Sequence, residues 1–149
     1  MLVHFPLALV LTGAAALGLA RLVALEHRAR TLAIVGTWNL CLGAIAIVFA
    51  LGTGLAAVID LNVADAARHA IGIHVKWAVG ASLGVILLAV WRGAGNAQDE
   101  RPSAAFLMLL AVVTAVLIMT GYRGGQNVYR YGVGVGPSSA RDGAEAGVR

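Results

Sequence analysis

The sequence has few charged residues and almost no cysteine. Asp, Glu, Lys and Arg make up 12% of its 149 residues, about half of the roughly 25% that is typical of soluble domains. Hydrophobic residues make up 60%, and a chain this apolar is neither disordered nor a water-soluble monomer. Cys41 is the only cysteine, which excludes an internal disulfide and any Cys-x-x-Cys motif. The composition predicts a protein that lies in a lipid bilayer.

The motifs of catalytic sites and of nucleic-acid-binding proteins are also absent from the sequence. The 11 Lys and Arg residues and 7 Asp and Glu residues give a net charge of +4, but the basic residues are dispersed and form no basic face of the kind that binds nucleic acid. We find no phosphate-binding loop, no Ser-His-Asp set and no paired carboxylates within an apolar segment. We therefore expect no nucleic-acid partner and no independent catalytic activity.

Four apolar segments are long enough to cross a hydrocarbon core of roughly 30 Å, for which about 20 helical residues suffice. They are Val3–Leu25, Leu32–Ile59, Ala70–Trp91 and Ala104–Gly121. Polar and apolar residues do not alternate along them, which favours helices over the strands of a barrel. Short polar connections at 26–31, 60–69 and 91–103 make consecutive helices antiparallel neighbours. The sequence predicts an all-α membrane protein, an antiparallel four-helix transmembrane bundle.

The second segment is long for a single span, so we expect tilt or a projecting end near Gly52-Thr53-Gly54. Small residues allow helices to approach closely in lipid. Gly80 with Gly84 forms a GxxxG pattern, which we interpret as packing within the bundle rather than as a dimer contact.

A segment rich in glycine and tyrosine follows the fourth apolar run. Residues 121–135 read Gly-Tyr-Arg-Gly-Gly-Gln-Asn-Val-Tyr-Arg-Tyr-Gly-Val-Gly-Val. Glycine permits close backbone approach, and tyrosine favours the membrane interface. We predict a Gly/Tyr-rich C-terminal cap that closes the bundle. Residues 1–136 then form one transmembrane domain with its cap, and residues 137–149 form a flexible polar tail.

The arginines divide equally between the two sides of the predicted bundle. One side has Arg21, Arg28, Arg30, Arg92 and Arg101, and the side of the termini has Arg68, Arg123, Arg130, Arg141 and Arg149. The arginines around the first short connection carry more weight than those of a distal tail. We therefore expect a multi-pass protein of the bacterial inner membrane with both termini on the outer side.

Three histidines are predicted on the side of the termini, and ionisable residues within spans are candidates for function. His4 opens the first helix, and His69 and His74 open the third, which runs in the same direction. His4 and His74 can therefore lie at a similar depth, as two axial ligands of a haem require. His69 is the alternative second ligand, but it points about 140° away from His74. Lys76 either reaches the interface or pairs with Asp60.

The expected cofactor is haem b, because the chain has no Cys-x-x-Cys-His attachment motif. Arg123 or Arg130 can hold the propionates by bidentate pairing, and Tyr129 adds a hydrogen-bonding side chain to the same segment. The spans supply almost no carboxylates, which disfavours a zinc or di-metal site. The simpler alternative is that each histidine satisfies a backbone carbonyl or lies in the wet interfacial region.

Both ends of the sequence resemble a known family. The motifs are Leu2-Val3-His4-Phe5-Pro6-Leu7-Ala8-Leu9 and Gly124-Gly125-Gln126-Asn127-Val128-Tyr129-Arg130-Tyr131-Gly132-Val133-Gly134-Val135. They resemble DUF2231, a family of predicted four-helix bacterial membrane proteins of unknown function, over nearly the whole chain. The family usually carries a further His-Pro before the first motif and a histidine where this chain has Tyr131. The resemblance therefore transfers a histidine only at His4.

Related domains are joined to cytochrome c or Rieske modules, so the resemblance implies electron transfer. We predict a b-type haem protein or redox-complex subunit that passes electrons near the outer membrane face. Its expected partners are the lipid bilayer, other membrane subunits or a redox protein, and quinone. The alternative is a cofactor-free accessory subunit of a larger membrane complex. A channel or transporter ranks third, because the spans offer little polar lining.

Overall fold

The computed structural model describes residues 4–59, 65–94 and 101–133, with only the backbone described at His4, Asp65 and Tyr131. The described helices are α1 (His4–Leu22), α2 (Glu26–Ile59), α3 (Asp65–Gly93) and α4 (Ala104–Tyr131). All four are long and apolar enough to cross a membrane. The predicted all-α fold with four transmembrane helices is confirmed. The predicted flexible tail lies outside the described residues.

Local sequence explains where the helices begin and end. Pro6 lies in the first turn of α1, where no helical hydrogen bond needs its missing N–H. Ser103 caps the start of α4 by accepting a hydrogen bond from the Phe106 backbone N–H at 3.2 Å. Gly132 ends α4 in the left-handed conformation at φ 63°, which glycine adopts without a steric penalty. α2 and α3 begin at Glu26 and Asp65, before their apolar runs, so the predicted connections at 26–31 and 60–69 were too long.

The predicted end of the fourth helix at Gly121 was wrong. α4 continues for ten further residues, and the segment predicted to follow the helix is helical as far as Tyr131. Gly124 and Gly125 cost α4 about 1 kcal/mol each relative to alanine, but packing offsets that cost, because the His74 ring fills the space beside Gly124. The described part of the predicted cap is therefore mostly the last turns of α4.

α2 is longer than a single span requires. Its 34 residues extend about 51 Å at 1.5 Å per residue, compared with a hydrocarbon core of roughly 30 Å. It remains helical through the Gly52-Thr53-Gly54 segment, where the Thr53 hydroxyl donates a hydrogen bond to the Phe49 carbonyl at 2.9 Å. Every residue from Gly52 to Ile59 is exposed. This end of α2 projects without a break.

Buried and half-buried residues recur at alternating spacings of three and four along each helix, and we call each row the inner seam of its helix. The seams are Pro6, Val10, Gly13, Leu17 and Ala20 in α1; Ala29, Ala33, Gly36, Leu40, Gly43 and Ile47 in α2; Ala67, Ile71, His74, Ala78, Ala81, Val85 and Leu88 in α3; and Phe106, Leu110, Val113, Leu117, Thr120, Gly124 and Asn127 in α4. This spacing is typical of left-handed bundles with nearly antiparallel helices.

Small residues on the seams set the distances between helices. A Cβ at Gly36 would lie 2.7 Å from Leu17 Cγ, and one at Gly13 would lie 3.0 Å from the Gly36 carbonyl oxygen, so α1 and α2 pack almost backbone to backbone. A Cβ at Gly84 would lie 2.9 Å from Val113, which places this half of the GxxxG pattern inside the bundle. Gly80 has open space around it.

Each helix packs against two neighbours. α1 contacts α2 and α4, and α3 contacts the same two helices, so α1 and α3 occupy opposite corners of the bundle. We call the end where α1 and α3 begin and α4 ends the terminal end. The opposite end holds the connections from α1 to α2 and from α3 to α4. The candidate site residues lie at the terminal end.

Candidate functional site

His74 lies on the inner seam of α3, three residues before Trp77, whose ring contacts Arg123 of α4. Its ring packs against Gly124 of α4, where an added Cβ would lie 3.1 Å from Cε1 and 3.6 Å from Nε2. The backbone of Thr120 lies beside the same ring. A larger residue at position 124 would displace the imidazole, so the glycine creates the space that His74 occupies.

The Nδ1 atom of His74 is buried and has no hydrogen-bond partner among the described residues. A buried polar atom without a partner costs about 1–3 kcal/mol. That cost is avoided when a ligand or metal uses the atom. His74 is therefore the strongest single candidate for a ligand-binding residue at this end.

His4 begins α1 at the same level of the bundle as His74. Leu7 Cδ2 of α1 lies 3.9 Å from an added Cβ at Gly121 of α4. Because α1 and α4 are antiparallel, the residue three before Leu7 is level with the residue three after Gly121, which is Gly124. Gly124 contacts the His74 ring. The backbone of His4 and the side chain of His74 thus start from the same depth on diagonally opposed helices.

His69 lies on the outer face of α3, away from His74. It is exposed and lines a groove together with Arg68, Gly72, Ile73 and Lys76. The predicted separation of about 140° between the two histidines follows from 100° per residue and agrees with their different exposure. The structure does not bring His69 to the inner seam on which His74 lies. Asp60, the predicted alternative partner of Lys76, lies outside the described residues.

Arg123 precedes Gly124 in the chain and lies at the contact between α3 and α4. Its guanidinium carbon is 5.3 Å from the centroid of the Trp77 ring, within the range of a cation–π interaction. Its Nε atom is buried and, like His74 Nδ1, has no hydrogen-bond partner in the described part of the chain. Two unpartnered nitrogen atoms therefore occur on adjacent helices at one end of the bundle.

The other predicted residues of this segment lie farther out. Tyr129 is 92% exposed, so its side chain faces the surroundings rather than the His74 ring. Arg130 is exposed in the last turn of α4, where a basic residue interacts favourably with the helix dipole. Arg123 is thus the predicted arginine that the fold brings closest to His74.

Sequence reasoning missed Asn127, Thr120 and Trp77. Asn127 is 6% exposed and Thr120 is 6% exposed, and both lie on the inner seam of α4. The signal was present in the sequence, because the three-and-four spacing of the fourth span includes Thr120 and continues past Gly121 to Gly124 and Asn127. Extending that spacing would have predicted both the longer helix and its buried polar face.

The comparisons with known proteins identify the family. A family model described as "predicted membrane protein (DUF2231)" matches residues 1–137. The chain belongs to DUF2231. This confirms the resemblance that rested on the motifs at the two ends of the sequence. Curated proteins give no significant match, and neither do solved structures. Family membership and four apolar helices together make this a predicted membrane protein.

Proposed function

We propose that this DUF2231 protein is a membrane-embedded b-type haem subunit that passes electrons, and that His74 and His4 would hold the haem iron. The observation that carries the proposal is the buried, unpartnered Nδ1 of His74 on the inner seam, level with the first residue of α1. When bound, haem would supply one-electron transfer. The protein would hold it and set its surroundings.

The environment of His74 suits an imidazole that would hold a haem iron. A metal-binding imidazole uses one nitrogen for the metal and is oriented by a backbone carbonyl or carboxylate at the other. The Thr120 backbone beside the ring can provide that second contact. Gly124 leaves room for the imidazole without displacing α4. The described residues therefore fit a role for His74 in holding a haem iron, and His4 is the histidine at the matching depth.

Arg123 is the residue that would hold a haem propionate. A buried guanidinium nitrogen without a partner is stabilised by a carboxylate, and arginine pairs with carboxylates through two parallel hydrogen bonds. Trp77 keeps the guanidinium against α3. Arg130 can contribute charge from the last turn of α4. Tyr129 is too exposed to contact a haem held by His74.

The depth of His74 supports electron exchange near a membrane surface. Nine residues separate it from Asp65, where α3 begins, which corresponds to about 14 Å along the axis. A redox protein at the surface and a quinone in the bilayer are the partners suited to that position. We assign the terminal end to the outer face of the bacterial inner membrane, because the arginines around the first connection lie at the opposite end.

Labelling with a membrane-impermeant thiol reagent tests this orientation. In a Cys41→Ala background, we expect Gly132→Cys to be labelled from outside intact cells and His27→Cys only after the membrane is opened. The reverse pattern would place the terminal end in the cytoplasm. Labelling of both from one side would contradict the antiparallel arrangement.

The visible spectrum of detergent-purified protein tests the haem proposal. We expect a Soret band that shifts on reduction with dithionite, with sharp α and β bands of a low-spin b-type haem. His74→Ala and His4→Ala should each lower the haem content or convert the spectrum to high spin. His27→Ala is the matched control, since His27 is exposed at the opposite end. A parent protein without haem, or unchanged spectra in both variants, would refute the assignment.

One observation favours the cofactor-free alternative, an accessory subunit of a larger membrane complex. The His74 ring is in contact with α4 at Gly124, so the histidine can act as a packing residue whose Nδ1 is satisfied by a partner subunit. This reading predicts no visible absorption in the parent protein and a change in complex assembly in Gly124→Leu. The spectrum decides between the two functions.

A further inference from the structure

A basic groove lies on the outer face of α3, near the terminal end. It has a volume of about 370 Å³ and is lined by Arg68, His69, Gly72, Ile73 and Lys76. Arg68, Gly72 and Lys76 are spaced four residues apart, so they form one row along the helix surface. None of the lining residues lies on the inner seam, and the groove is separate from the environment of His74.

Lys76 shows why this groove is unusual for a surface in contact with lipid. It lies within the apolar span Ala66–Gly93 and is exposed, although an ammonium group facing hydrocarbon is costly. Side chains of a helix lean toward its N-terminus, so Lys76 extends over Gly72 toward Arg68 and the membrane interface. The ammonium group of Lys76 is thereby directed toward the guanidinium group of Arg68.

Gly72 provides the space between these two cations. An added Cβ at Gly72 would have no atom within 4 Å, so the groove is open directly above the helix backbone. No carboxylate is among the described residues that line it. The described lining of the groove therefore presents positive charge and the apolar side chain of Ile73 to the lipid, above an open stretch of backbone at Gly72.

We infer that this groove binds the phosphate of an anionic phospholipid. Arg68 and Lys76 contact the phosphate oxygens from the two sides of Gly72, His69 adds a donor, and Ile73 lies against an acyl chain. Basic residues close to a membrane surface attract anionic lipids, and here they converge on one position. Because Lys76 is within the span and Ile73 is apolar, the matching anion is a lipid headgroup rather than a soluble phosphate.

Lipid binding to the detergent-purified full chain tests the inference, with native mass spectrometry or fluorescence as the readout. The probes are phosphatidylglycerol, phosphatidylcholine with the same acyl chains, and glycerol phosphate. We expect phosphatidylglycerol to bind more tightly than either of the others. Lys76→Gln and Arg68→Gln should each weaken its binding about fivefold, the effect of one basic residue near a membrane surface. Arg28→Gln removes an exposed charge at the opposite end and should change nothing.

Gly72→Leu tests the shape of the groove without removing a charge. It fills the floor and should weaken phosphatidylglycerol binding. Gly80→Leu is its matched control, since Gly80 is also exposed on α3 with nothing within 4 Å. Lys76→Arg keeps the charge and should retain binding, which shows that loss in Lys76→Gln is not misfolding.

Equal affinity for the two phospholipids would overturn the inference, as would unchanged affinity in Lys76→Gln and Gly72→Leu. If glycerol phosphate bound as tightly as phosphatidylglycerol, the assignment of the anion to a lipid headgroup would be wrong. All of these measurements are independent of haem content, so they succeed or fail separately from the proposed electron-transfer function.

Discussion

At the opposite end of the bundle, Arg101 and Arg92 find partners within the protein, whereas at the terminal end two buried nitrogen atoms do not. Arg101 donates hydrogen bonds to the carbonyls of Val23 and Ala24 and pairs with Glu26 at 2.8 Å. The buried Arg92 donates from Nε to the Thr37 hydroxyl at 3.2 Å. At the terminal end, the Nδ1 of His74 and the Nε of Arg123 are buried without a partner in the described chain.

The two ends also differ in packing, and again the opposite end has more contacts within the protein. The opposite end is closed by edge-to-face contact between Trp91 and Phe106, whose ring centroids are 5.6 Å apart. At the terminal end, α2 is exposed on all sides from Gly52 to Ile59, and Gly125 has no atom within 4 Å of an added Cβ. Arg92 and Arg101 are thus satisfied at one end, while the other end has open positions at residues 52–59 and at Gly125 and the unpartnered nitrogens of His74 and Arg123.

The largest expected effect is the loss of haem from His74→Ala. If the terminal end holds haem through His74, this variant should lose most of its haem or retain it only in a high-spin form, because one of the two proposed histidine ligands is removed. His69→Ala changes a histidine five residues away on the exposed face of the same helix and should retain it. Pyridine haemochrome assays of the purified variants measure this. Equal loss in both variants would show that the outer face carries the ligand.

The next effect concerns the buried arginine of the opposite end. Arg92→Met should lower the free energy of unfolding by about 2–3 kcal/mol, since it removes a buried charged hydrogen bond. Thr37 keeps its own hydrogen bond to the Ala33 carbonyl at 2.7 Å. Unfolding in mixed micelles, followed by circular dichroism, measures the change.

Arg123→Met is the matched substitution at the terminal end. In haem-free protein it should cost less than about 1 kcal/mol, the strength of its cation–π contact with Trp77. If the two arginine variants were equally destabilised, the distinction between a satisfied end and an unsatisfied end would fail.

A further prediction compares an alanine substitution in the close contact between α1 and α2 with one at the open terminal end, by their effects on the free energy of unfolding. Gly36→Ala should destabilise by about 1–3 kcal/mol, because overpacking forces neighbouring atoms to shift and its Cβ would lie 2.7 Å from Leu17 Cγ. The Cβ added by Gly125→Ala has no atom within 4 Å, so this substitution should stabilise α4 by up to about 1 kcal/mol. Chemical denaturation of both variants in one detergent measures the two changes in the free energy of unfolding. A change of the same sign in both variants would contradict the difference in packing between the two positions.

A similarly small effect is expected at the exposed ion pair of the opposite end. Arg101→Gln should cost only about 0.5–1 kcal/mol, because Glu26 is 85% exposed and exposed ion pairs contribute little. The cost should fall as salt is added. A loss as large as that of Arg92→Met would show that the connection between α1 and α2 depends on Arg101 far more than its exposure implies.

The number and type of helices could be predicted from the sequence, but the details of the candidate site could not. Long apolar runs identified four spans, and the count of crossings placed His4 and His74 at one end. The contact between Arg123 and Trp77 joins residues about 46 positions apart in the chain, and the contact between His74 and Gly124 joins residues about 50 positions apart. No local sequence pattern specifies such contacts. The end of α4 was missed because the Gly/Tyr-rich segment was interpreted as a separate cap, whereas it continues the helix to Tyr131 and packs against His74 at Gly124.

Composition and the length of apolar segments by themselves determined that this chain spans a membrane as four helices, because hydrocarbon accepts only backbones whose hydrogen bonds are satisfied within the segment. The tertiary structure decided which side chains meet. It placed His74 inside the bundle and His69 outside, and it left His74 Nδ1 and Arg123 Nε without partners in the described chain. The physical reason is that helix rotation and register depend on how small residues such as Gly36, Gly84 and Gly124 pack against neighbouring helices, which is a property of pairs of helices.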